Sequence, residues 1–396
     1  MSTVVEFGIV QGFILDDLIA GVLDNTEYTL GGVVFQDITN KMVRASIGRG
    51  KSRDLDRYNS GTLTVELNNE DRVFDPLYTA SPFYPQVVPR KEIRVKTDNI
   101  TQFVGIIDDW NFAYEPGGQS RAEIQATDDF TFLARQLLTP GTATPQSSGA
   151  RVTAVLDMPS VGWPPDRRDI DAGSSLLGDD VFDGNALEYL QLVETSEQGA
   201  LFISKTGDLT FRSRLDATPT SASLLTFADD GTGIPYTGVS VNYGTELLVN
   251  TVNVTSNAGT ANAENARSRT TYGIAEENIE TLVSTQAQLD NLADFTVQKY
   301  GDPEYRFDGI TMNLDTMSAG DRADVLGIEL GDVILLKFTP NGIGLPIEQY
   351  GQVINIQQDI ETTRHDLRIG VASLDFTFLV LDDNVFGTMN NNSLAF

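Results

Sequence analysis

Apolar and polar residues alternate with period two through much of the chain. In the stretch 62–67, Leu63, Val65 and Leu67 fall on one face while Thr62, Thr64 and Glu66 fall on the other. That is the pattern of a half-buried strand. Met42 to Ile47 and the neighbourhoods of Ile93, Phe103 and Ala122 supply further strands, separated by turns such as Glu115-Pro116-Gly117-Gly118. Short strands at this spacing predict a β-barrel or sandwich over 36–139. It closes with a helix capped by Asp128, in which Phe130, Leu133, Ala134, Leu137 and Leu138 follow a helical period until Pro140.

The texture changes over 140–235. A Thr/Ser/Pro linker leads to a short helix near Arg151–Leu156, then to Gly162-Trp163-Pro164. A second helix runs from about Asn185 to Gln198, with Gly199 as its C-terminal cap. Residues 201–211 form a hairpin around Lys205-Thr206-Gly207-Asp208, giving a small α+β domain. Strands return over 236–376, at Val239–Val241, Leu248–Val254, Val333–Phe338 and Gln352–Ile356. The Gly/Asn-rich stretch 257–265 reads as a flexible tip. Thr285 with Gln288 forms a capping box for a helix whose apolar face carries Leu289, Leu292, Ala293 and Val297. The fold class is therefore α+β, mainly β, with two β-domains flanking a small α+β domain. Segments 1–35 and 377–396 flank them as docking segments.

One link between strands is unusual. From Asp75-Pro76 to Ser81-Pro82-Phe83-Tyr84-Pro85 and Pro89, prolines restrict the backbone of a segment carrying Phe74, Tyr78, Phe83 and Tyr84. Such a strap can present its rings to a packed surface at low entropic cost. Arg57, Tyr58, Gly61, Leu67, Asn68, Arg72, Phe74, Asp75, Pro76, Ser81 to Pro85, Arg90 and Ile93-Arg94-Val95 together follow a characteristic order. Phe103-Val104-Gly105, Trp110, Gly162-Trp163-Pro164, Glu197-Gln198-Gly199, Gly207-Asp208-Leu209 and Leu330-Gly331-Asp332-Val333 continue it over nearly the whole chain. In this the chain resembles the minor tail proteins of long-tailed bacteriophages, especially those of actinobacteria. The resemblance implies a tail-hub-like or baseplate-hub-like virion protein at the tail tip. It also implies two equivalent β-barrel-like domains flanking the small α+β domain, and a trimeric ring matching a hexameric tail tube.

The two ends of the chain echo one another. Leu15, Asp16, Asp17, Gly21 and Asn25 match Leu381, Asp382, Asp383, Gly387 and Asn391 without gaps. An acidic pair suits a turn or helix cap, and the two copies read as a docking element used twice.

Charge narrows the partners. The 56 acidic and 27 basic residues give a formal net charge of −29, the opposite of a surface built to hold nucleic acid. For a hub ring the acidity would repel phosphate along the DNA path over about 8–10 Å. No apolar run reaches the ~20 residues of a membrane helix. The N-terminus has no basic region before its apolar part, and the absence of cysteine fits synthesis in a reducing host cytoplasm.

Candidate chemistry is sparse. His365 is the single histidine and sits in polar sequence that reads as a surface turn; zinc hydrolase sites and Ser-His-Asp triads are not supported. Adjacent aspartates such as Asp108-Asp109 and Asp179-Asp180 point to opposite faces of a strand, unlike a glycosidase pair. Trp110, Phe112 and Tyr114 share one strand face, read as an interface stripe rather than a carbohydrate platform.

The expected protein is thus structural and non-catalytic, without cofactor or metal. Its interface residues are Phe74, Tyr78, Phe83, Tyr84, Trp110, Leu15, Asp16, Asp17, Gly21, Leu381, Asp382, Asp383 and Gly387. The resemblance implies as partners further copies of itself, the distal tail protein, the tape measure protein and receptor-binding proteins. A hexameric distal tail protein or a cell-wall adhesin are the alternative readings, and a cell-wall hydrolase is the reading least supported.

Overall fold

The computed structural model describes residues 1–10, 33–115, 117–214 and 225–374. Its first half is a run of seven strands: β1 (Thr3–Val10), β2 (Val33–Asp37), β3 (Met42–Gly50), β4 (Asn59–Asn68), β5 (Glu92–Thr97), β6 (Ile100–Ala113) and β7 (Arg121–Thr127). They lie in the order β3-β4-β7-β6-β5-β1-β2. β1 lies inside the sheet between β2 and β5, so part of the segment assigned to terminal docking is a structural strand. The alternation seen in the sequence is realised here: Leu63, Val65 and Leu67 are buried beside Ala122, Ile124 and Ala126 of β7. With Phe7, Ile47, Ile93 and Phe103 they form one core.

The second β region does not stand apart. Its fifteen-residue strand Ile347–Glu361 pairs with β3 through Asn355–Glu361 and with His365–Ser373 through residues 351–360. Thirteen described strands thereby join in one sheet, running from Gly238–Tyr243 at one end to β2 at the other. Among the described residues this ladder does not close into two separate barrels. The chain is mainly β, as expected, but its two β regions are fused through a shared strand.

The helices are α1 (Phe130–Leu133), α2 (Ser148–Leu156), α3 (Ala186–Glu197), α4 (Ala266–Tyr272), α5 (Gln286–Tyr300) and α6 (Ala319–Gly327). α1 is a single turn, shorter than its apolar period suggested. Leu138 N donates to Gly184 O and Leu137 bridges Asn185, so tertiary pairing takes the chain out of the helix. α2 and α3 pack with the hairpin Ala200–Ile203/Leu209–Arg212 in a core shared with the second β region, including Leu190, Phe202, Phe211, Ile334 and Ile369.

Between strands Gly238–Tyr243 and Tyr305–Asn313, which pair with each other, the chain inserts a module with its own core. Three strands, Thr251–Ser256, Gly259–Glu264 and Glu276–Glu280, carry α5 on one face. The stretch read as a flexible tip is the hairpin of this module. Ala261 is buried opposite Val254, and Gln286 Nε2 donates to Thr260 O. Thr285 caps α5 as its sequence indicated, with Leu289, Leu292, Ala293 and Val297 buried.

Candidate interaction surface

The strap is a spiral of turns rather than an extended strand. Arg72 N donates to Asn69 O, Asp75 N to Arg72 O, Tyr78 N to Asp75 O, Ser81 N to Tyr78 O and Tyr84 N to Ser81 O. Side chains hold each turn. Asn69 Oδ1 accepts from Phe74 N at 3.0 Å, Asp75 Oδ1 from Leu77 N at 2.8 Å, and Ser81 Oγ donates to Val73 O at 2.5 Å. Arg72 donates to Asp75 Oδ2 at 2.6 Å and lies over the ring of Tyr78. These bonds give the Asp-Pro and Ser-Pro positions a local structural role.

The spiral closes one end of the first core. Phe74 is fully buried and stacks on Phe83 at 5.3 Å and on Trp110 at 5.9 Å, while Phe7 meets Phe83 edge-on. The stack continues outward through Phe112 to Tyr114 in steps of 6.3 Å. Trp110 Nε1 donates to Val88 O, tying β6 to the end of the strap. Of the aromatic candidates, Phe74 therefore belongs to the core, Tyr78 and Phe83 are half-buried within the strap, and Trp110 is half-buried beneath it. Tyr84 reaches solvent at 46% exposure. Leu77, passed over in the sequence, is the most exposed apolar residue of the strap at 84%, and Tyr114 joins it at 52%. Its place directly after Asp75-Pro76, at the apex of a turn, was the available signal. Leu15, Asp16, Asp17, Gly21, Leu381, Asp382, Asp383 and Gly387 lie outside the described residues.

The other motif positions are staples. Asp128 accepts from Ser60 Oγ, Gly61 N and Phe130 N, and burial lifts its carboxyl to about 6 against the pull of those bonds. A side chain at Gly61 would sit 2.8 Å from that carboxylate. Glu197 accepts from Ser148 Oγ, Ser174 N and Oγ, Ser175 N and Ser213 Oγ. Burial opposes its charge, but the bonds from Ser174, Ser148 and Ser175 dominate and hold it at about 2. The left-handed cap of α3 is Gln198, not Gly199. Gly199 is needed because a Cβ there would lie 2.1 Å from Arg212 O. Trp163 Nε1 donates to Arg167 O at 2.8 Å inside the same core.

His365 overturns its surface reading. It is fully buried, with Nε2 2.9 Å from Gln358 Oε1, and Gln358 donates on to Gln102 of β6. Burial pushes its pKa down to about 4, outweighing the nearby Asp315 and Asp366. The preceding Thr-Thr-Arg turn concealed that residue 365 begins a strand whose alternate positions face inward.

A polar knot joins the inserted module to the β3–β4 loop. Asp54 accepts from Lys299 Nζ at 2.8 Å and Tyr300 Oη at 2.6 Å, with Lys51 Nζ 3.6 Å away. Burial opposes the Asp54 charge, yet Lys299 and Lys51 hold the carboxyl well below its usual range. Cavities of about 320 and 290 Å³ share Asp54, Lys299 and Tyr300 in their walls. Among the described residues no group of three or more acidic or histidine side chains is arranged to hold a metal ion.

Comparison with solved structures bears on what such an assembly is. The 43 kDa tail protein of prophage MuSo2 from Shewanella oneidensis superposes over 93% of this chain and 96% of its own, with TM-score 0.57 and 12% identity. Its fold is similar to that of phage tail proteins. A tail protein from Neisseria meningitidis MC58 matches over 94% and 96% with TM-score 0.58 and 11% identity. The Escherichia coli c3393 protein, a type VI secretion component described as similar to T4 tail proteins gp27 and gp5, matches over 85% and 74% with TM-score 0.50 and 7% identity. No protein-family model and no curated protein sequence matches the chain. At these identities the shared property is the fold.

Proposed function

We propose that this chain is a structural protein of a phage-type tail tip, forming a homo-oligomeric hub ring at the distal end of the tail tube. The observation that carries the reading is the reciprocal coverage: nearly all of this chain superposes on nearly all of two tail proteins. The ordered motifs running through nearly the whole sequence point the same way independently. In this reading the two β regions occupy equivalent positions, so that three chains present six and match a six-fold tube. The ring joins the distal tail protein and the tape measure end to receptor-binding proteins and surrounds the DNA exit path, where the charge of −29 keeps phosphate from adhering. It acts without catalysis or cofactor, and it is made in the host cytoplasm before entering the virion. Leu77 and Tyr84 of the strap, with Tyr114 just past the end of β6, are available for contact with neighbours.

Light-scattering mass of the purified chain, with class averages of the particle, tests this. A three-fold ring of about three times the 43.2 kDa chain mass is expected. Six-fold symmetry would favour a distal tail protein instead. A monomer that binds host cell walls on its own would favour an adhesin.

A further inference from the structure

Strands Gly141–Ala143 and Asp180–Phe182 form a two-stranded ribbon, and among the described residues neither pairs with any other strand. Its inner side is anchored: Phe182 and Ala143 are buried in the α2–α3 core, and Arg151 Nη1 reaches Tyr189 Oη below. Its outer side is unlike the rest of the α+β region. Asp179, Val181 and Asp183 alternate onto it, and all three are exposed, Val181 at 61%. Beside them Leu137 stands 69% exposed where it bridges Asn185, and Glu188 is exposed in the first turn of α3. Among the described residues none of Asp179, Asp183 and Glu188 makes a salt bridge, and Arg135, two positions before Leu137, is the cation close by in sequence.

The Asp179 carbonyl accepts from Asn257 Nδ2 of the inserted module. Beyond it the Asp180–Phe182 strand pairs on one side only; with an exposed apolar centre and charges without salt bridges on both sides, it is an incomplete sheet. A strand added to the Asp180–Phe182 edge would place its side chains directly opposite, where cross-strand pairs of opposite charge and of apolar groups are the stabilising ones. Because side chains repeat on one face every second residue, about 6.6 Å apart, the complement is determined. It carries a basic residue opposite Asp179, an apolar one opposite Val181 and a basic one opposite Asp183.

We propose that this ribbon docks an extended segment of another tail protein with the pattern basic, any, apolar, any, basic. The inference rests on the tail reading above. A second copy of this chain does not supply the segment. The one described place with that spacing is Arg53-Asp54-Leu55-Asp56-Arg57, which is a turn whose Arg53 is paired with Asp56 and whose Asp54 is held in the knot.

The test is site-specific photo-crosslinking in assembled tails, with Val181→p-benzoylphenylalanine. Presence of the chain in purified tails is scored first, and its absence would sink the tail reading rather than this one. With the chain present, the expected product is a cross-link to a different tail protein, in a peptide with Lys or Arg two residues either side of an apolar residue. The double variant Asp179→Lys/Asp183→Lys should lower its yield at least tenfold, and Asp179→Asn/Asp183→Asn by less, with the thermal midpoint of each purified variant unchanged. A cross-link to a second copy, to an acidic peptide, or to nothing would overturn the proposal. So would a yield indifferent to charge reversal.

Discussion

The chain is closed at two places by opposite means. At the strap, closure is apolar: Phe74, Phe83, Trp110 and Phe7 pack into one cluster, while the polar groups around it set the turns and tie Trp110 to the strap's end. At the module, closure is ionic: Asp54, Lys299 and Tyr300 meet in the walls of two cavities, with the Tyr300 ring shared with the module's own apolar core. Apolar closure gains from every atom removed from water and tolerates small displacements. Ionic closure must recover the cost of desolvating its charges, so it depends on all partners staying in place. The first kind is a fixed lid, whereas the second is a contact that fails as a unit.

Substitutions separate the two. Phe74→Ala should lower unfolding free energy by about 3–5 kcal/mol, through lost burial and the cavity left behind, as read by urea denaturation. A loss under about 1 kcal/mol would mean the strap is not part of the first core. Asp54→Ala should cost about 3 kcal/mol, because Lys299 remains buried without its partner. The double variant Asp54→Leu/Lys299→Met should recover most of that stability. If the double variant is as unstable as the single one, the knot is not a self-contained pair.

Acid provides a third separation, at the buried network that links β6 to the fused strand. The unfolded chain takes up a proton on His365 as pH falls through about 6.5, whereas the folded imidazole stays neutral until about 4. Stability should therefore fall between those values, by up to about 3 kcal/mol, and His365→Gln should flatten this part of the profile. Glu197 behaves with the same sign lower down, its contribution present above about 4.5 and lost towards 2. At the small end, Tyr84→Ala should change stability by less than about 0.5 kcal/mol while weakening self-association in sedimentation. Unchanged association would remove Tyr84 from the proposed contacts.

What was legible in the sequence follows the same division. Strand alternation at Leu63, Val65 and Leu67, the Thr285 cap and the aromatic character of the strap depend on neighbours a few residues away, and all are realised. Phe74 and Trp110 read alike as interface aromatics, whereas Phe74 is fully buried in the core and Trp110 is half-buried against it, because local sequence does not say what packs on a ring from elsewhere in the chain. The Asp54–Lys299 pair spans 245 residues, and the pairing of β3 with Ile347–Glu361 spans more than 300; neither leaves a local mark. His365 was misplaced for the same reason, since its burial is set by Gln358 and Gln102 rather than by the polar turn before it. Gly199 was seen as a helix cap when the constraint on it comes from the Arg212 carbonyl of a neighbouring strand.

The most direct test of the tail-hub account is a cryo-EM map of intact tails from virions encoding this chain. The account predicts three copies in a ring at the distal end, with acidic surface facing the lumen. A tail without the chain, or a ring whose lumen is lined by Lys and Arg, would contradict it.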